Sequence, residues 1–172
     1  MGPTPVPPPG RFPARRPPAR YPPVMTGDLD LVRRLVDAER GLVVVSTARA
    51  DGRVHSSVVN AGVFDHPVTK EPGVAFVARG DAYKLKLMAA SGRANLVFRA
   101  GWQWVSVEGP VDIIGPDHPH AGFPPDGIPG LLREIFTAAG GTHDDWAEYD
   151  RVMAEERRAA VLVGAARITT NG

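Results

Sequence analysis

One stretch, residues 74–114, limits what this chain can fold into more than any other. It reads V-A-F-V-A-R-G-D-A-Y-K-L-K-L-M-A-A-S-G-R-A-N-L-V-F-R-A-G-W-Q-W-V-S-V-E-G-P-V-D-I-I. Its periodicity predicts a strand over residues 74–79, then a short basic helix capped by Asp81 and ending near Ser91-Gly92. Strands over 93–99 and 102–114 follow, joined at Ala100-Gly101. A strand that feeds a helix N-terminus leaves N–H groups unpaired at the positive end of the helix dipole. With Arg79, Lys84 and Lys86 around it, such a junction favours a phosphate. Lys84 is the better phosphate candidate because it lies in the first turn. Lys86, two residues on, points to another face.

The flanking sequence predicts the remaining elements. Residues 28–40 place Leu31, Val32, Leu35 and Val36 on one helical face, with Asp28 as N-cap and Gly41 as stop. Residues 42–48 form an apolar, β-branched run suited to a buried strand. Asp51-Gly52 accepts the positive φ of a tight turn, so residues 54–63 return as a hairpin. Residues 115–129 are rich in Pro, Gly and His and read as a loop. A helix is expected over 128–139, a second one opening at Thr142 with Asp145 in an acidic capping box, and a last strand over 160–169. The total is six strands joined by antiparallel hairpins, with no regular β-α-β alternation. The expected architecture is therefore mainly β, an antiparallel six-stranded barrel with peripheral helices.

Composition narrows the function. The chain has 172 residues, 43% of them hydrophobic, enough for one domain with a full core. Residues 1–23 hold Arg11, Arg15, Arg16 and Arg20, no acid, and more than half of the 18 prolines. They read as an extended or disordered arm, either dispensable or a docking arm for a Pro-recognition groove or a partner subunit, ahead of a domain over 24–172. With formal net charge +1 overall, the rest of the chain is net negative. That argues against nucleic acid as a partner. No apolar run is long enough to span a bilayer and no signal pattern is present, so a soluble, cytoplasmic protein is expected. Cysteine is absent, which removes disulfides, thiolate metal sites and a cysteine nucleophile.

The remaining polar residues offer no nucleophile–base pair, and no catalytic residue is assigned. Asn60 is unusual inside a strand and implies a bulge before Gly62 or a bonded ligand. Trp102 and Trp104 fall on one face of their strand, as core, as interface or as the wall of an aromatic ligand. Asp117, His118 and His120 lie close in sequence, but Pro116 and Pro119 break the spacing that helical metal ligands need, and no metal is expected. If the chain is an enzyme, a bound cofactor carries the chemistry.

Several segments together resemble a known group. They are Asp51-Gly52-Arg53 with residues 56–62 (S-S-V-V-N-A-G), residues 74–79, residues 98–104 (F-R-A-G-W-Q-W) with Val107-Glu108-Gly109, and the run G-G-T-H-D-D-W-A-E-Y-D-R-V-M-A-E-E-R-R over 140–158. The chain resembles the pyridoxamine-5'-phosphate-oxidase-like split β-barrels, also called FMN-binding split barrels. Within them it is most similar to the actinobacterial-type oxidoreductases that use the deazaflavin coenzyme F420. The resemblance covers about residues 28–168. It implies a homodimer with the cofactor at the interface, F420 or alternatively FMN, and an organic small-molecule substrate. Ser57 and Asn60 would face the ring, Phe76, Val77 and Ala78 would pass beneath it, and Arg79 and Lys84 would take the phosphate. Lys86 and Trp102 complete the implied binding set. Two positions depart from the family pattern, Leu87 where Asn is usual and Gly92 where Pro is usual. The implied activity is hydride transfer between F420 and the substrate. The alternatives are a non-catalytic flavin- or deazaflavin-binding protein and an FMN-dependent oxidase or reductase.

Overall fold

The computed structural model describes residues 28–171, so the Pro/Arg-rich arm and the side chain of Asp28 lie outside the described residues. Helix α1 (Asp28–Glu39) buries Leu31, Val32, Leu35 and Val36, as its periodicity predicts. It ends through Arg40 and Gly41, both at positive φ, with the Gly41 N–H reaching back to the Val36 carbonyl. Strands β1 (Leu42–Ala48) and β2 (Val54–Val63) form the expected hairpin. In its loop, Gly52 at φ +83° donates to the Arg49 carbonyl, and the Asp51 carboxylate accepts from the Arg53 N–H.

Strand β3 (Gly73–Ala78) leads to helix α2 (Tyr83–Ser91), which Gly92 closes in the left-handed region. Strand β4 (Arg93–Ala100) pairs along its whole length with residues 103–110 of β5 (Gln103–Ile114), whose remaining residues pair with β6. Helices α3 (Ile128–Ala138) and α4 (Trp146–Glu155) precede β6 (Ala159–Gly164) and β7 (Arg167–Thr170). The antiparallel order β4-β1-β2-β3-β6-β5, with β5 pairing back to β4, closes a six-stranded barrel.

The single final strand expected from sequence is β6 and β7 in succession along one edge of β5. Val163 pairs with Val111 and Arg167 with Glu108, so β5 advances three residues while its partner advances four. The extra residue is a bulge. Backbones crowd there: a Cβ on Gly109 would lie 1.6 Å from the Gly164 carbonyl oxygen.

Two apolar layers meet at β3. Val74, Phe76 and Ala78 point into the barrel, which is packed with Val45, Leu96, Phe98, Val105 and Val107 and joined by Leu85 and Met88 of α2. Ala75 faces the other way, with Leu162 and Ile114, onto Leu131, Leu132 and Ile135 of α3. Burial on both faces explains why β3 and β6 read as unbroken apolar runs instead of alternating ones. Among the described residues no helix is long and apolar enough to cross a membrane.

Two caps differ from expectation. Helix α4 starts at Trp146, not Thr142, because Asp145 is itself the N-cap and accepts from the Ala147 and Glu148 N–H groups. Helix α2 has Ala82 at its N-cap and no side-chain cap, since the Asp81 carboxylate is turned to Arg79, 3.2 Å away.

Candidate functional site

The barrel splits between β2 and β3. Their pairing covers Val63–Val74, Gly62–Ala75 and Ala61–Phe76 and stops there. Beyond Phe76, β3 continues to pair with β6 through Val77 and Ala78, while β2 from Asn60 back to Val54 pairs with β1. The strands part because β2 passes from one half of the barrel to the other, and the β2-side edge of Val77 and Ala78 is left unpaired. A cleft of about 610 Å³ opens at this parting, walled on its far side by α3 and α4.

Five of the residues named from sequence line it: Asn60, Val77, Ala78, Arg79 and Lys84. Four do not. Phe76 is fully buried in the barrel, its backbone paired on both sides. Lys86 is exposed on α2 outside the cleft wall. Trp102 lies in the β4–β5 turn, not the strand, and is 94% exposed. Ser57 sits on the opposite face of β2 from Asn60, as an odd spacing along a strand requires. Its Oγ is nevertheless buried without a hydrogen-bond partner. Asn60 needs no bulge: its Nδ2 donates to the Arg40 carbonyl where α1 ends, and the β1–β2 register runs unbroken to Leu42–Asn60.

The cationic end of the cleft has three basic side chains with unequal compensation. Arg79 pairs with Asp81, and Arg158 bonds Glu156 at 2.6 Å. Lys84 has no hydrogen-bond or ion-pair partner among the described residues. Burial, and after it the neighbouring Arg158, hold the Lys84 ammonium below the ordinary lysine range. An uncompensated, half-buried ammonium beside an uncapped helix N-terminus is a site for an anion.

The helical wall contributes residues that the sequence reading did not assign to a ligand site: Phe136, expected on the inner face of its helix, His143, expected to be structural at a helix cap, and Glu148, Tyr149, Met153 and Arg158. The rings of Phe136, Trp146, Tyr149 and His143 pack on one another at 5.0–6.3 Å between centroids. The Tyr149 hydroxyl donates to the Leu132 carbonyl, and burial pushes its phenol up to about 12. Arg158 is placed by Arg157, a non-glycine residue at φ +49° after the end of α4.

A second polar cluster lies outside this cleft. Asp112 Oδ2 meets His66 Nε2 at 3.2 Å and His120 Nε2 at 3.0 Å, whereas Asp117 pairs with Arg157. His66 Nδ1 accepts from the Val68 and Thr69 N–H groups, and His120 Nδ1 from that of Gly122. Both protons therefore sit on Nε2 and point to the carboxylate. A metal-bound Nε2 would need the proton on Nδ1, where a backbone N–H already points. The cluster ties the β2–β3 loop and the loop after β5 to β5 itself.

No protein-family profile matches the chain, and no curated protein does. Solved structures do match. A conserved hypothetical protein of Mycobacterium tuberculosis shares 16% identity over 91% of this chain and 89% of its own, with a TM-score of 0.57. An F420 reductase shares 15% over 85% and 98%, with 0.56. A pyridoxamine 5'-phosphate oxidase-related, FMN-binding protein of Nostoc punctiforme shares 14% over 84% and 80%, with 0.54. At such identities the likeness is one of fold: this chain is a mainly β, six-stranded split barrel of the kind those proteins have.

Proposed function

We propose that the protein binds a flavin-type cofactor, F420 before FMN, in the cleft between β2 and β3 and uses it to move hydride to or from an organic substrate. The observation that carries this reading is Lys84, half-buried, unpaired and beside an uncapped helix start at the cleft wall. Lys84 and Arg79 would hold the phosphate, with Arg158 beside them. The free edge of Val77 and Ala78 would meet the ring through backbone groups, and Asn60 would reach it from β2. Bound there, F420 would supply a hydride-carrying carbon, and the protein's part is to orient ring and substrate and keep water out.

F420 is placed before FMN on the resemblance of the sequence to F420-dependent split barrels. Asp81 and Glu156 offset Arg79 and Arg158, leaving Lys84 as the one surplus cation of the three. That cation can neutralise an anionic group of either cofactor. A homodimer belongs to the same reading. The outer face of the β1–β2 hairpin exposes Leu42, Val44, Val54 and Val58, with Val44 and Val58 directly paired, and Val58 also edges the cleft. A second copy covering that face would close the cleft from solvent.

The test is reoxidation of reduced F420 across a panel of enones and quinones. Acceleration by at least one acceptor supports an oxidoreductase. Tight binding with no accelerated acceptor favours a carrier, and absence of binding overturns the proposal.

A further inference from the structure

The helical wall of the cleft carries one side chain whose hydrogen bonding fixes where its proton is. His143 lies two residues before the N-cap of α4, and its Nδ1 accepts the Asp145 N–H at 3.1 Å. In a neutral imidazole that bond leaves the lone pair on Nδ1 and the proton on Nε2. The ring is held by Trp146 at 6.0 Å and Tyr149 at 5.5 Å between centroids. His143 lines the cleft, and its Nε2 has no partner among the described residues. That donor is open to a ligand's acceptor in the cleft.

We infer that His143 is a neutral hydrogen-bond donor to a carbonyl oxygen of the molecule that occupies the cleft. With the Asp145 N–H at Nδ1, Nε2 is the ring nitrogen that can donate to a carbonyl. The cationic end would take the anionic group, and His143 would read a neutral acceptor on the helical wall. This rests on the cofactor reading above. The carbonyl could belong to the pyrimidine part of a flavin or deazaflavin ring, or to a conjugated carbonyl substrate.

Two variants separate the donor from the local structure. In His143→Asn the side-chain oxygen can still accept the Asp145 N–H, but the amide is too short to replace Nε2. In His143→Gln the amide extends to about the Nε2 position. The readouts are the Kd of F420 and of FMN by fluorescence, and the rate of 2-cyclohexen-1-one reduction at saturating reduced F420. If the ring is the acceptor, His143→Asn raises the cofactor Kd about tenfold and His143→Gln restores it. If the substrate is the acceptor, Kd holds while the cyclohexenone rate falls about tenfold in Asn and recovers in Gln. Either result supports the inference. No change in either readout, with wild-type protein binding cofactor, overturns this inference alone; wild-type protein that binds neither cofactor overturns the cofactor reading and this one with it. Nitrogen-15 NMR of the ring, assigned by the signal that His143→Asn removes from the five histidines, gives an independent check. A proton found on Nδ1 overturns the inference whatever the cofactor result.

Discussion

Lys84 of α2, between β3 and β4, and Arg158, just before β6, meet as two cations at one end of the cleft. Glu156 offsets Arg158, and nothing among the described residues offsets Lys84. The folded protein thus holds a charge that burial disfavours, in a place where an anion would relieve it.

Lys84→Met is therefore expected to act in two directions. Without ligand it removes a penalised charge and raises Tm. Phosphate-bearing cofactor should bind about tenfold to a hundredfold more weakly, the scale of a lost charged hydrogen bond. Thermal melts and fluorescence titrations check the pair.

The same lysine predicts a pH dependence. Its folded-state pKa lies below the ordinary value of 10.5, so its cost to stability is fully present at low pH. That cost is relieved as pH rises through the depressed pKa towards 10.5. Anion binding needs the ammonium, so cofactor affinity should fall over the same interval. Titrations of wild-type protein and Lys84→Met, in which the fall disappears, measure it.

Tyr149 gives a dependence at higher pH. With its phenol raised from 10.0 to about 12, the neutral form is favoured in the folded state. The associated stability is present below pH 10 and lost as pH rises through about 12. Ultraviolet titration should show one tyrosine ionising late, and Tyr149→Phe should remove that component. Losing the bond to Leu132 should cost about 1 kcal/mol, read by urea unfolding.

Gly109→Ala tests the bulge. Its Cβ would meet backbone at Gly164, which cannot swing aside as a side chain would. A loss of about 3 kcal/mol is expected in urea unfolding, whereas Gly130→Ala, in open space, should change little.

Val58→Lys tests the proposed dimer. A charge on the exposed β1–β2 face should shift sedimentation towards the monomer and weaken cofactor binding, since Val58 also edges the cleft.

Local pattern made the barrel legible. The apolar runs of β1, β3 and β6 and the Asp51-Gly52 turn are set by neighbouring residues, and Gly41 and Gly92 end their helices as expected. What escaped depends on distance or on competition. Asp81 could cap α2, but Arg79 takes its carboxylate. Ser57 and Asn60 lie on opposite faces because the register has no bulge between them. Half of the cleft wall, including His143, Tyr149 and Arg158, comes from helices and turns far along the chain. Their position beside Lys84 follows from α3 and α4 packing on β3 and β6, which no local signal encodes.

The most direct test of the central claim is equilibrium binding of F420 and FMN, side by side, to wild-type protein and Lys84→Ala. The account predicts tighter binding of F420 than of FMN, with F420 affinity falling at least about tenfold in the variant. Equal F420 affinity in both proteins, or no binding of either cofactor to the wild type, would contradict it.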